Sequence, residues 1–514
     1  MSSLSESSIL SGASASQVTP AHQVSQSIRF NQSDKSFMYR SVPGSAAGAT
    51  TSTISMWFKL GGYATSASTT NYMFGAFYGS NGRYGSVTLT TDGKLQYYAQ
   101  LNGASSSISP APSYVLVFKT NRSFRDVSAW YHLLLVHDTT QDEANERVRL
   151  YINGQREEDF SSFNSGSKNR TYWFGGTGYV SAFGAYSNDG SYGQNLYFDG
   201  YMSDICLISG TAYGPETFGE FDTNGIWRPI AIDTSSISFG AQGAYLNGAS
   251  GTPTDDQSGN GNNYTANNLD AHDIVKDTPT NNFCVLNSLD KYSYDSGQTV
   301  RGVRDQGLSF ISKPAGNQNG FGVGNMAVKN GKWYYEVYTQ SYPSNEAFTL
   351  NWSDVDDLAL RTAGYGGYSS GIGGDFGLSQ RHTSSTYSTW QWGSSSTLNT
   401  GLTPFVQDKI IGVYTDFDNN EFKIYVDGSL YGSVDFDLTS PTKNLTIGGV
   451  SWVPRLVLAN DQVSKIYVNF GQDDSFNGFK TSGSAAASDS NGKGKFYYTP
   501  LSGYLAICSQ NLGA

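Results

Sequence analysis

From about residue 28 onward, this chain is built of short runs of alternating apolar and polar residues, each cut off by a turn-forming dipeptide. Ser86-Val87-Thr88-Leu89-Thr90, Lys94-Leu95-Gln96-Tyr97-Tyr98 and Arg147-Val148-Arg149-Leu150-Tyr151-Ile152 are examples. A period of two sends successive side chains to opposite faces of a strand. The punctuation suits tight hairpins, because Asp92-Gly93, Asn153-Gly154 and Asp427-Gly428 can take the positive φ that two-residue loops require. Strands at regular spacing with such turns predict antiparallel β-sandwiches. No amphipathic run of about twelve residues or more stands out, so helix is expected to be a minor component.

Composition narrows the function classes. Charged residues make up 15% of the 514 residues, against about 25% in ordinary soluble proteins. The formal charge is −11, from 32 basic and 43 acidic residues, without a basic block. Nucleic-acid binding is therefore not expected. No apolar run reaches the roughly 18 residues of a membrane helix, so membrane insertion is not expected either. The first twenty residues are polar and Ser-rich, without the basic and apolar regions of a secretory signal. Cys206, Cys284 and Cys508 are far apart and fit no metal spacing, which predicts three reduced, buried thiols and folding in a cytoplasm.

The chain divides by composition. Residues 1–27 read as a polar N-terminal arm, and 28–232 as a first strand-rich domain. Residues 233–331 form a Gly/Asn/Asp/Ser-rich connecting region, expected to pack as irregular structure on the sandwiches. A second strand-rich domain spans 332–480, and 481–514 form a tail packing on that second sandwich.

In the first domain, Trp130-Tyr131-His132, then Arg149-Leu150-Tyr151-Ile152-Asn153-Gly154, then Phe198-Asp199-Gly200-Tyr201-Met202-Ser203-Asp204 occur in order. The set resembles the laminin-G-like, concanavalin A-like jelly rolls. In the second, Gly331-Lys332-Trp333-Tyr334-Tyr335-Glu336-Val337, Asp408-Lys409-Ile410-Ile411-Gly412-Val413 and Ile424-Tyr425-Val426-Asp427-Gly428 resemble a SPRY domain. Pro454–Leu458 and Val468-Asn469-Phe470-Gly471 look like its closing strands. The expected fold is all-β, two antiparallel sandwiches with an irregular middle segment. The series Ser27–Asn31, Phe124–His132, Asp256–Asn263 and Gly331–Glu336, with the ending Tyr498–Ala506, resembles a family of bacteriophage virion proteins. Such proteins are tail fibres, tail spikes or capsid-associated components.

Jelly-roll glycosidases carry Glu-x-Asp-x-x-Glu on one strand. Glu220-Phe221-Asp222 begins that pattern, but its third carboxylate would fall on Gly225. Glu157-Glu158-Asp159 are adjacent and alternate faces, and His132 and His137 would sit on opposite faces of a regular strand. No enzyme is expected. Asp256, Ser258 and Asn260 place oxygen groups at alternate positions before Gly261, which makes Ca2+ a candidate cofactor beside the simpler reading of an Asx-rich turn. Position twelve of that loop is Asn267 rather than Glu, so it is not an EF-hand. Gly320–Gly324 and Gly364–Tyr368 lack the Lys-Ser/Thr and helix of a phosphate cradle and read as turns or bulges.

Tyr172, Trp173, Tyr365, Tyr368, Trp390 and Trp392 sit in Ser/Gly/Asn-rich contexts. Exposed Tyr and Trp can stack on sugar rings, so these six are candidate glycan-binding residues, with core packing or subunit contact as the alternative. The resemblance implies a virion component, assembled in the host cytoplasm, that adheres to host surface glycans. The polar arm, with Ser2, Ser3, Leu4, Ile9 and Leu10, would dock on other virion proteins or a sister subunit. Self-association is expected, with a trimer as the default for a fibre. A capsid decoration or head fibre without receptor specificity and a cellular glycan-binding lectin stay open as alternatives.

Overall fold

A computed structural model describes residues 22–45, 47–62, 71–78, 83–100, 114–185, 196–287, 302–312, 320–342, 347–355, 375–381, 386–391, 394–399, 406–435, 451–459, 464–481 and 487–513. The chain forms two compact units, one spanning Val18–Thr280 and one built by Asn281–Ala514. Both are antiparallel sandwiches, and the described helix amounts to Ser509–Leu512 and a few single 3₁₀ turns.

In the N-terminal unit, one eight-stranded sheet centres on Trp130–Asp138, Thr51–Leu60 and Gly200–Ser209. The other runs Phe160–Phe163, Tyr114–Ser123, Lys94–Gln100, Arg83–Leu89, Asn71–Tyr78, Val180–Phe183, Phe37–Ser41, Thr265–Asn267. Alternation decides what enters the core. Ile54, Met56, Phe58 and Leu60 of one strand join Val87, Leu89, Leu95 and Tyr97 of the opposite sheet in one apolar cluster. Two of the three hairpin turns use the expected chemistry, whereas in Asp92-Gly93 only Gly93 takes a positive φ, of 73°. Asn153 and Gly154 take φ of 50° and 74°, Asp427 and Gly428 of 48° and 77°. At Gly154 a Cβ would also come within 2.3 Å of the Trp227 ring, so no other residue fits there without moving it.

The other face of Trp130–Asp138 is apolar at Leu134 and Val136. Phe218, Ile237, Phe239 and Tyr245 cover it. The stretch 233–331, read from sequence as one connecting region, is thus divided. Its first part adds Ala244–Leu246, Thr265–Asn267 and Ile274–Val275 to the sheets of the N-terminal unit, and the division between units falls after Thr280. At the end of the polar arm, Val24 is already buried, and its N–H donates to Thr280 Oγ1 at 3.0 Å.

The C-terminal unit pairs a sheet built around Lys332–Ser341, Ile410–Asp416 and Ser464–Asn469 with a second sheet around Trp452–Ala459 and Ala347–Asp354. Trp333, Tyr335, Val337, Trp352, Trp452 and Leu456 share its core. Tyr334 and Tyr414 point to the opposite face of the first sheet. There the C-terminal segment packs on them through Phe496, Leu501, Tyr504 and Ala506, and Leu505–Ala506 pairs in parallel with Trp333–Tyr334.

Candidate functional site

The second sheet of the N-terminal unit presents a row of residues on its outer face. In register across six strands it reads Thr265, Tyr39, Ala182, Gly75, Ser86, Tyr98. The inner neighbours Tyr264, Met38, Phe183, Phe74, Val87 and Tyr97 belong to the core, so alternation sends this row outward. Tyr39 and Tyr98 are half-buried, and the middle of the row is small and buried. Phe77 lies across that floor: a Cβ on Gly75 would stand 2.2 Å from its ring, which is why the position is glycine. Tyr72 and Val180 pack with Phe77, Tyr39 and Ala182. Gln96, half-buried opposite the buried Thr88 on the neighbouring strand, adds an amide beside the row. The result is an aromatic and hydroxyl-bearing face, a chemistry suited to flat polar ligands.

Of the six aromatic residues singled out from sequence, Tyr172 and Trp173 have described side chains. Tyr172 and Trp173 are 0% and 3% exposed inside the core, which corrects the expectation that they are displayed. Tyr172 stacks on the His137 ring at 4.4 Å and donates to the Ser165 carbonyl at 2.9 Å. Their Gly-rich setting marks bends in a buried strand, not an exposed loop. Trp390 lies in strand Thr386–Gln391, opposite Gly377 and Ser395. Its side chain and residues Tyr365, Tyr368 and Trp392 lie outside the described residues, as do Ser2, Ser3, Leu4, Ile9 and Leu10. Tyr39 and Tyr98 were missed, although a core residue immediately before each one carried the signal.

Asp256, Ser258 and Asn260 form a turn closed by its own hydrogen bonds. The Asp256 carboxylate accepts from the N–H groups of Tyr245, Ser258 and Asn262 and from the Ser258 hydroxyl. Four donors occupy the roughly four lone-pair directions a carboxylate offers. Asn260 turns its amide to the carbonyls of Gly240 and Gly243. This donor set does not fit a cation, because the only charged ligand has no lone pair left to give.

Asp222, Glu157, His132, His137 and Asp204 are tied into structure. Asp222 accepts from Asn224 and Ile226 N–H groups and pairs with Arg228 at 3.0 Å. Glu157 pairs with Arg122 at 2.7 Å. His132 bonds Ser55 Oγ and receives the Trp227 indole N–H on the outer face, while His137 bonds Ser52 Oγ in the core. They do take opposite faces, and burial pushes both imidazoles down to about 3. Asp204 sits at φ 46° in a bulge after Ser203. Burial raises its carboxyl, against a 2.7 Å bond from the Tyr245 hydroxyl. Cys206, Cys284 and Cys508 are free and buried.

Known proteins give the fold a name. Residues 34–211 match a laminin-G-type family profile described as the concanavalin A-like lectin/glucanases superfamily. Solved structures similar to the chain include domains LG4-5 of the mouse laminin alpha1 chain, at 10% identity and TM-score 0.28, covering 89% of this chain and 85% of that one. The SPRY domain of human HERC1 is similar at 13% identity and TM-score 0.24, covering 31% and 87%. A carbohydrate-binding module from Bacillus subtilis is similar at 12% identity and TM-score 0.20, covering 31% and 81%. No curated protein is similar enough to count as a match.

Proposed function

We propose that the N-terminal unit binds carbohydrate on the outer face of its second sheet, and that the protein is a structural component of a tailed-phage virion, of the tail fibre or spike type, adhering to host surface glycans. The observation that carries the binding half is the match of 34–211 to a lectin and glucanase superfamily, within which the Tyr39–Tyr98 row lies. Two half-buried tyrosines at the ends of a floor of small residues, four strand spacings or roughly 19 Å apart, offer ring surface for separate pyranoses of an extended glycan, with exposed Thr265 and half-buried Gln96 at hand for hydroxyls. The role is adhesive rather than catalytic: Asp222 and Glu157 are each engaged by an arginine, and Asp256 is saturated by its own turn. The virion half rests on the four motif strings, with the ending Tyr498–Ala506, that resemble phage structural proteins.

A glycan array with the full chain tests the binding half. Tyr39→Ala with Tyr98→Ala should abolish any glycan signal while leaving the circular dichroism of the protein unchanged. Binding that survives the double change overturns this face as the site. Cryo-electron microscopy of intact particles tests the virion half. Density at the tail is expected; density at the capsid shell would favour a decoration or head fibre, and absence from particles would favour a lectin.

A further inference from the structure

The C-terminal unit holds a second feature, independent of that face. A cavity of about 120 Å³ opens on the outer side of its first sheet, walled by Tyr334, Tyr414, Tyr425, Tyr498 and Leu501. The sheet makes most of the wall. Tyr334 and Tyr414 are register partners on neighbouring strands, with ring centroids 4.3 Å apart. Tyr425, on the next strand, has its ring 4.9 Å from Tyr414. Between Glu336 and Tyr425 in the same cross-strand row stands Gly412, whose missing side chain leaves the floor open. A Cβ there would lie 3.1 Å from the Tyr334 ring and hydroxyl. The C-terminal segment closes the cavity with Tyr498, whose ring lies so near the Asp427-Gly428 turn that a Cβ on Gly428 would be 3.0 Å from it.

Among the described residues, the charge beside this cage that lacks an opposite partner is acidic. Glu336 is fully buried directly behind the wall. Its carboxylate accepts from the Tyr334 hydroxyl at 2.9 Å and the Tyr498 N–H at 2.8 Å, both from lining residues. Its other two donors are Asn469 Nδ2 and the Tyr497 N–H, so all four hydrogen-bond partners are neutral. The neighbouring carboxylates already have cations: Asp427 holds Lys409, Asp416 holds Lys332 and Glu421 holds Lys423. Glu336 differs from them in having hydrogen bonds and no positive charge.

Size limits the occupant. An engineered cavity of roughly 150 Å³ takes benzene, whereas sites for drug-sized ligands start at about 300 Å³. A group no larger than a small ring or a headgroup fits. Aromatic walls backed by negative charge attract cations and give no partner to anions.

We propose that this tyrosine cage binds a small organic cation bearing a substituted ammonium group, with the Glu336 carboxylate as its countercharge one hydrogen bond behind the wall.

Titration calorimetry of the full chain at pH 8, where Glu336 carries its charge, with choline and with 3,3-dimethyl-1-butanol as its neutral isostere, tests this. Choline should bind at one site per chain, and the isostere roughly tenfold more weakly or less, as a desolvated cation–π contact would give. Equal binding of the two would overturn the cation assignment, and no saturable choline binding would overturn the site. Tyr425→Ala should weaken choline severalfold and Tyr425→Phe should keep it, because the ring and not the hydroxyl makes the contact. Loss in both, with the fold intact, would also refute the cage. If Tyr425→Ala fails to fold, the comparison of choline with its isostere on the unaltered protein still decides.

Discussion

Replacing Glu336 by glutamine should remove a pH dependence from the stability of the C-terminal unit. Burial pushes the Glu336 carboxyl up from its ordinary 4.5 to about 7, against four hydrogen bonds that hold it down. A raised carboxyl means that the folded state favours the protonated form. Its stabilising contribution is complete below pH 4.5, is lost progressively as pH rises to about 7, and is flat above. Two and a half pH units correspond to about 3 kcal/mol, and the side chain is fully buried, so solvent screening does not reduce this. Glutamine matches the shape of the neutral acid and cannot ionise. Glu336→Gln should therefore show no such slope, so its stability relative to the parent should rise by about 3 kcal/mol from pH 4.5 to pH 8, from an initial deficit because its amide NH2 must face the N–H of Tyr497 or Tyr498. Urea unfolding of the full chain across this range measures it. Hydrogen exchange in Lys332–Ser341 assigns the transition to this unit, which matters because two compact units need not unfold together. A parent stability that rises between pH 4.5 and 7, or a variant with the same slope as the parent, would show that the four donors win over desolvation and would refute the reasoning.

Two further outcomes concern the N-terminal unit. Lys59 and Asp277 pair at 2.7 Å with both side chains fully buried, and the Trp130 indole N–H bonds the same carboxylate. Lys59→Met should cost about 3–5 kcal/mol by stranding that charge in the interior, and adding Asp277→Leu should recover most of the loss; a single-variant cost under about 1 kcal/mol in urea unfolding would contradict the pairing. For the Asp256 turn, thermal melting should be insensitive to millimolar calcium, whereas Asp256→Ala should cost about 2 kcal/mol or more by depriving four donors of their acceptor. A calcium-dependent rise in melting temperature would show that the carboxylate does have capacity for a cation.

What the sequence revealed and what it concealed follow from how far apart the deciding residues are. Alternation along Lys94–Tyr98 marks a strand with one face in the core, and the structure puts Leu95 and Tyr97 there. A hairpin such as Asn153-Gly154 is equally local, since two residues decide it. Whether an aromatic residue in a Gly-rich stretch points inward is not local. Tyr172 is buried because His137, thirty-five positions earlier in the chain, offers it a stacking partner, and nothing between the two announces that. The Lys59–Asp277 pair spans 218 positions and was equally invisible. Glu336 is the intermediate case. A lone carboxylate amid Trp333-Tyr334-Tyr335 and Val337 shows on sequence alone that something must satisfy it. What satisfies it is the backbone of Tyr497 and Tyr498, over 160 positions away. The same long-range contact that answers the burial cost of Glu336 brings Tyr498 against the Asp427-Gly428 turn and so closes the cavity that Tyr334 and Tyr414 line. Site and clamp are thus one piece of packing: a change that frees the C-terminal segment from Glu336 should open the tyrosine cavity, and a ligand held in the cavity should in turn tighten the segment.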